Sequence, residues 1–163
     1  MNNKKITIAV IIIAIIITVG ITVLVYDNSL KSDDKAVVNI NMEELNTKFS
    51  TYSEFSDSKN TNIDKTTAVN TFGIDESSIQ EVIGKMPLIN IKSSMFVIIK
   101  VTDGSQELVK QKLETYVTNY EKQWSNYLED QYNLVKSRQL GIKGNYVYLI
   151  ISENASELKK LIK

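Results

Sequence analysis

The stretch MFVIIKV, residues 95–101, decides the fold of this chain. It is short and rich in β-branched and aromatic residues, and the turn sequence Thr102-Asp103-Gly104 follows it, a combination typical of a β-strand. We therefore predict a strand at residues 95–101. A second, edge strand is expected at residues 88–91, turning through Lys92-Ser93-Ser94.

A long amphipathic helix is predicted directly after this strand. From Ser105 to about Leu128, apolar residues recur with a period near 3.6, and lysine, glutamate and asparagine occupy the positions between them. Asp103 or Ser105 is expected to cap the N-terminus of this helix, because both residue types accept hydrogen bonds from the first free amides.

The C-terminal part of the chain predicts a hairpin and a last helix. Residues 134–142 and 145–152 flank Lys143-Gly144, and Gly144 supplies the positive φ that such a turn requires. Asn154 or Ser156 is then expected to begin a helix whose inward residues are Leu158, Leu161 and Ile162.

Three helices are predicted before residue 88, beginning after Asn41, Asp64 and Asp75. Glu44 lies three residues after Asn41, as in a capping box. Gly73 is a suitable C-terminal cap for the second helix. The third helix is expected to carry Ile79, Val82 and Ile83 on one face.

These elements predict an α+β fold, in which an N-terminal transmembrane helix precedes a small, mostly antiparallel sheet of three to four strands packed against helices. Placing the helices on one face of the sheet is the economical packing.

An uninterrupted apolar run, ITIAVIIIAIIITVGITVLV, occupies residues 6–25. As a helix it would span about 30 Å, the thickness of a bilayer's hydrocarbon core. Lys4 and Lys5 precede it, as in a signal peptide, but the run exceeds the usual apolar region and no small-residue cleavage site follows. We therefore favour an uncleaved anchor over a cleaved signal peptide.

The anchor divides the chain into four expected parts. Residues 1–5 form a cytoplasmic tail, residues 6–25 the transmembrane anchor, residues 26–40 a flexible tether, and residues 41–163 an extracytoplasmic α+β domain. The short tail before a first apolar segment favours a cytoplasmic N-terminus, although the lysine bias across the run is small.

Composition excludes several classes of function. Residues 26–163 keep 17 of the 19 basic residues and all 19 acidic ones, so their net charge of about −2 gives no case for a nucleic-acid partner. Without His or Cys, zinc sites and His-based triads are excluded within this chain. We expect no metal and no cofactor, and the oligomeric state is not determined by the sequence.

A set of short motifs resembles a known family. Its members here are Phe72-Gly73-Ile74-Asp75, Lys85-Met86-Pro87, Ile99-Lys100-Val101 with Asp103-Gly104, Trp124 with Tyr127-Leu128, Asp130-Gln131-Tyr132, Leu134-Val135-Lys136 and Lys143-Gly144-Asn145-Tyr146-Val147. In this order they resemble an uncharacterised "domain of unknown function" family of small, membrane-anchored or lipoprotein envelope proteins of low-GC Gram-positive bacteria. The resemblance covers about residues 40–163 and implies a fold and a location but no activity.

The chain departs from that family in two places. Glu129 stands where relatives often carry Pro, and no Cys is present where lipoprotein members carry one. The resemblance therefore implies direct membrane anchoring in place of lipidation.

The best candidate for a binding surface is a set of aromatic residues. It consists of Tyr116, Tyr120, Trp124 and Tyr127 on the long helix, with Tyr146 in the hairpin. Such side chains usually pack on the sheet, but an exposed end would suit a glycan or protein partner, because Tyr and Trp combine apolar area with a polar tip.

These observations predict a non-enzymatic, membrane-tethered binding module that contacts an envelope protein or cell-wall component. The first alternative is a cell-wall or glycan hydrolase that uses carboxylates such as Glu129 and Asp130, or a Ser–Lys pair involving Ser93, Ser94 or Ser105. The second alternative is an accessory subunit of a membrane complex.

Overall fold

A computed structural model of the chain describes residues 38–56 and 58–163. The predicted tail, the anchor at residues 6–25 and the tether up to residue 37 lie outside the described residues. Within the described ranges, no helix is both long and apolar enough to cross a bilayer.

The described part of the chain is built around a five-stranded sheet. Its strands are β1 (Asn60–Asn62), β2 (Ile79–Pro87), β3 (Met95–Val101), β4 (Gln139–Lys143) and β5 (Tyr146–Ile151). Their spatial order is β1-β2-β3-β5-β4, and every neighbouring pair is antiparallel. The α+β class and the antiparallel sheet are confirmed, with one strand more than the three to four predicted.

Five α-helices accompany the sheet in the described residues. They are α1 (Met42–Ser50), α2 (Lys65–Phe72), α3 (Gln106–Trp124), α4 (Glu129–Lys136) and α5 (Ala155–Leu161). The cap predicted for α1 is confirmed, since Asn41 Oδ1 accepts from the Glu44 amide at 3.0 Å. At the end of α2, Gly73 adopts a φ of +64°, as a left-handed C-terminal cap requires.

Helices cover both faces of the sheet, so the expected one-sided packing is wrong. Side chains of β3 alternate between two cores: Met95 and Val97 point to the core that α2, α3 and α4 close, whereas Phe96 and Ile98 point to the core that α1 and α5 close. The physical reason is visible in MFVIIKV, whose nearly continuous apolar character suits a strand buried on both sides.

The helix predicted after Asp75 is a strand. Only a short 3-10 turn, Glu76–Ser78, precedes β2, which pairs with β3 along its length. A register shift between Ile79 and Glu81 breaks the two-residue alternation of β2. The apolar spacing therefore imitates a helical period, and pairing with a buried strand overrides it.

Three further boundaries differ from the prediction. Residues 88–91 form a loop and not an edge strand, because β2 already ends at Pro87. The long helix α3 ends at Trp124 and a separate helix, α4, takes residues 129–136, so the first arm of the hairpin is only β4. The turn itself is confirmed, with Gly144 at a φ of +56°.

The two ends of the sheet carry different features. At one end, Val38 packs against Gly144 in the β4–β5 turn, which is where the described chain enters the domain. At the other end, Met95 pairs with Ile151, and residues 88–94 form the β2–β3 loop. The entry point and the β2–β3 loop therefore lie at opposite ends of the sheet.

Candidate functional site

An aromatic row runs along the second half of α3, from a contact with α2 at Tyr116 to Tyr127 just after the helix ends. We define it as Phe72, Tyr116, Tyr120, Trp124 and Tyr127, whose successive ring centroids are 4.7, 5.7, 5.9 and 5.7 Å apart. The spacing of four between Tyr116, Tyr120 and Trp124 places these rings on one side of the helix. The structure thus brings together four of the five predicted surface residues.

Burial changes along the aromatic row. Trp124 is only 4% exposed and packs in the core, Tyr116 and Tyr120 are partly buried, and Tyr127 is 62% exposed. Trp124 therefore packs in the core, as aromatic side chains usually do, whereas Tyr127 is the exposed end that could contact a partner.

Tyr146 does not belong to this surface. Its side chain is fully buried in the core beneath α1, and its hydroxyl oxygen accepts from the Ile40 amide at 3.1 Å. Strand β5 is buried along its whole length, so a residue at its first position points into the protein. Including Tyr146 in the candidate binding surface was therefore wrong.

An aromatic cleft of about 550 Å³ opens beside the middle of the row. Its wall contains Phe72, Tyr116 and Tyr120, and its polar groups include the side chains of Asn70, Asn90, Asn119, Gln123 and Lys112. Five segments line it: the end of α2, the end of β2, the β2–β3 loop, the start of β3 and one side of α3. Among the described residues that line this cleft, none is Asp or Glu.

Burial makes the tyrosines of the aromatic cleft even harder to ionise than an exposed phenol, which is already neutral near pH 7. Burial raises the pKa of the Tyr116 phenol well above its usual range, and the neighbouring Tyr120 adds to the effect. Burial also raises the pKa of Tyr120. Near neutral pH both hydroxyls therefore serve as hydrogen-bonding groups and not as proton acceptors in acid–base chemistry.

A second cleft, of about 560 Å³, lies on the other side of the β2–β3 loop. We call it the mixed-charge cleft, because its lining includes Glu54, Lys59, Lys92 and Glu153. Pro87 borders both clefts, so the two sites lie side by side at the end of the sheet away from Val38.

The β2–β3 loop exposes an aliphatic patch between the two clefts. Leu88 and Ile89 are each 60% exposed and Ile91 is 52% exposed. Sequence reasoning missed this patch because an alternating apolar run was interpreted as a paired strand. The preceding Pro87, at the end of β2, is the signal that marks the strand's limit.

Two of the three serines considered for catalysis, Ser93 and Ser105, have structural roles, whereas Ser94 lines the mixed-charge cleft. Ser93 is fully buried, and its amide and hydroxyl both donate to Gln131 Oε1, at 2.8 and 3.1 Å. The Ser105 hydroxyl lies 2.9 Å from that of Thr102, at the start of α3. These hydrogen bonds do not pair either serine hydroxyl with a lysine that could act as its base, as a nucleophilic serine would require.

The adjacent carboxylates at the start of α4 are both exposed. A hydrogen bond from the Gln131 side chain lowers the pKa of Asp130. An acid needed for glycoside cleavage requires a raised pKa, which Asp130 lacks. Within the described ranges, no group of three or more Asp and Glu side chains is arranged to hold a metal ion.

Comparison with known proteins gives one match. No curated protein and no solved structure matches the chain. Residues 53–152, which include β1 to β5 and helices α2 to α4, match the model of a family described as "Domain of unknown function (DUF4358)". The resemblance to an uncharacterised domain family is thus confirmed, and the chain belongs to the DUF4358 family.

Proposed function

We propose that this protein is a membrane-tethered, extracytoplasmic binding module of the bacterial cell envelope, and that its ligand enters the aromatic cleft. The observation that carries the proposal is the composition of that cleft: partly buried Tyr116 and Tyr120 lie beside several amide side chains in a space of about 550 Å³. This volume is within the range of small-molecule sites. The apolar run at residues 6–25 supports the tether.

The lining of the cleft favours an uncharged, polar ligand of the glycan type. Tyrosine rings offer apolar area with a hydroxyl at the edge, and amides both donate and accept hydrogen bonds. Lys112 is the one charged residue in the described lining, so a strongly charged ligand would find little compensation there.

The same lining supports binding over hydrolysis. Most glycoside hydrolases need two carboxyl groups facing each other across the substrate. The described residues of the aromatic cleft include neither Asp nor Glu.

Ligand binding can be tested with the full chain in detergent micelles and soluble cell-wall glycan fragments as the probe. Trp124 is the single tryptophan and its ring lies 5.9 Å from that of Tyr120, so its fluorescence should report ligand entry. We expect the pair Asn119→Ala and Gln123→Ala to weaken binding roughly tenfold, since a hydrogen bond contributes about 0.5–1.5 kcal/mol.

The matched control is the pair Thr118→Ala and Lys122→Ala, which alters exposed side chains of the same helix that do not line the cleft. We expect this pair to leave binding unchanged. Glycan binding that is equally weakened by both pairs, or no saturable binding at all, would refute the cleft as the binding site.

A further inference from the structure

The mixed-charge cleft joins charges of both signs to exposed aliphatic side chains. Glu54 and Glu153 face it together with Lys59 and Lys92, and Ile89 and Ile91 form part of the same lining. Its volume of about 560 Å³ is again in the range of small-molecule sites. A ligand that satisfies this lining needs a positive group, a negative group and an apolar group.

Glu54 is held in place by a chain of hydrogen bonds. The Ser152 hydroxyl donates to Glu54 Oε1 at 2.5 Å and accepts from the Asn154 amide at 2.9 Å. Ser152 is buried directly after β5, so the rigid sheet fixes its position. The carboxylate is thereby oriented before a ligand arrives, which lowers the entropic cost of binding.

Lys59 is fixed through its backbone beside the β2–β3 loop. The Lys59 amide donates to the Ser56 carbonyl, and the Lys59 carbonyl accepts from the Leu88 amide, both at 3.1 Å. The side chain of Lys59 is exposed. A mobile ammonium group thus extends from a fixed base at the border of the cleft.

The β2–β3 loop supplies the apolar part of the cleft. Ser93 and Gln131 bind the loop to α4 through buried hydrogen bonds, while Ile89 and Ile91 remain more than half exposed. Covering aliphatic side chains removes apolar area from water, which favours association. An apolar ligand side chain is the chemistry that this wall favours.

We infer that the mixed-charge cleft binds a short peptide with free termini and an apolar side chain. Glu54 accepts hydrogen bonds from the peptide's ammonium group, Lys59 pairs with its carboxylate, and the side chain packs on Ile89 and Ile91. This site is separate from the aromatic cleft, so it extends the proposed function and does not depend on glycan binding.

The experiment titrates the dipeptide leucyl-leucine into the full chain in detergent micelles, followed by calorimetry. We expect Glu54→Gln and Lys59→Gln each to weaken binding roughly tenfold, because each removes a hydrogen bond to a charged group. Glu157→Gln and Lys160→Gln are matched controls, since both side chains are exposed on α5 and neither lines the cleft. They should leave binding unchanged.

Two modified probes assign the roles of the charges. N-acetyl-leucyl-leucine lacks the ammonium group, so it should bind weakly and show no further loss with Glu54→Gln. Leucyl-leucine amide lacks the carboxylate and should be insensitive to Lys59→Gln. This pattern would not arise if either substitution acted only by disturbing the fold.

Three results would overturn the inference. The first is no detectable binding of leucyl-leucine at millimolar concentration. The second is equal binding of all three probes. The third is self-association of the chain that Ile89→Ser abolishes and that leucyl-leucine does not displace, because the aliphatic patch would then be an interface between copies.

Discussion

Tyr146 joins the start of the described chain to the sheet through a single hydroxyl. Its oxygen accepts from the Ile40 amide at 3.1 Å inside a core that excludes water. We expect Tyr146→Phe to reduce the free energy of unfolding by about 1–3 kcal/mol, because it leaves a buried amide without its acceptor. Denaturant unfolding of the full chain in detergent, monitored by Trp124 fluorescence, measures this change.

Tyr127→Phe is the control for that prediction. Tyr127 is 62% exposed, so removing its hydroxyl leaves no buried group without a hydrogen-bond partner. We expect it to change the free energy of unfolding by less than about 0.5 kcal/mol. An equal effect of the two substitutions would contradict the buried role of Tyr146.

Single residues show where sequence reasoning ends. All members of the predicted surface are aromatic, yet Tyr127 is exposed whereas Trp124 and Tyr146 are buried. Burial of an aromatic residue depends on which distant element covers it, and residue type does not encode that. The row along α3 was predictable because a spacing of four is a local property of a helix.

At the scale of elements, the side-chain caps predicted at Asn41 and Asp64 are confirmed, because a cap depends on a few neighbouring residues, whereas Asp75 and Ser105 make no capping hydrogen bond. Asp64 is an example: its Oδ1 accepts from the Thr67 amide at 2.7 Å and begins α2. The start of β2 was predicted badly, because its strand conformation depends on pairing with β3 and on the register shift near Ile79. Long-range pairing overrides a local apolar period.

The N-terminal cap of α2 makes the free energy of unfolding depend on pH. The hydrogen bond from the Thr67 amide lowers the pKa of Asp64 in the folded protein. A carboxyl whose pKa is lowered by folding stabilises the fold above its unfolded pKa, near 3.9, and loses that contribution as the pH falls through its folded pKa. The part of the cap's contribution that depends on the charge of Asp64 should therefore be lost in acid.

Denaturant unfolding of the full chain and of Asp64→Ala from about pH 6 to pH 2 measures this effect. We expect the native chain to be more stable at the upper end and the difference between the two unfolding free energies to shrink in acid. Asp64→Asn keeps an acceptor that does not titrate, so its advantage over Asp64→Ala should persist. If the unfolding free energies of the native chain and of Asp64→Ala differed by the same amount over this whole pH range, the role of the charged cap would be contradicted.

For the whole molecule, the sequence predicted the class of fold but not its layers. MFVIIKV indicated a strand, and helices were predicted where α1, α2, α3 and α5 lie, but β2 was predicted as a helix and α4 was not predicted. The second layer of helices depends on where α1 and α5 pack, and no local pattern specifies that. The aromatic cleft was likewise unpredictable, because its lining comes from α2, from β2 and β3 with the loop between them, and from α3, which are distant in sequence.

The two clefts and the first described residues lie at opposite ends of the sheet. Both clefts adjoin the β2–β3 loop, and the described chain enters at Val38 beside Gly144, at the opposite end. This separation is a property of the antiparallel register, in which Met95 pairs with Ile151 and Lys100 with Tyr146.

Membrane topology is the most direct test of the proposed module. The chain has no cysteine, so Asn3→Cys and Ser156→Cys each introduce a single thiol. With a membrane-impermeant maleimide, we expect the Ser156→Cys protein to react in intact bacterial cells and to sediment with membranes. The Asn3→Cys protein should react only after lysis. Labelling of Asn3→Cys but not Ser156→Cys in intact cells, or recovery of the chain in the soluble fraction, would contradict a tethered extracytoplasmic domain.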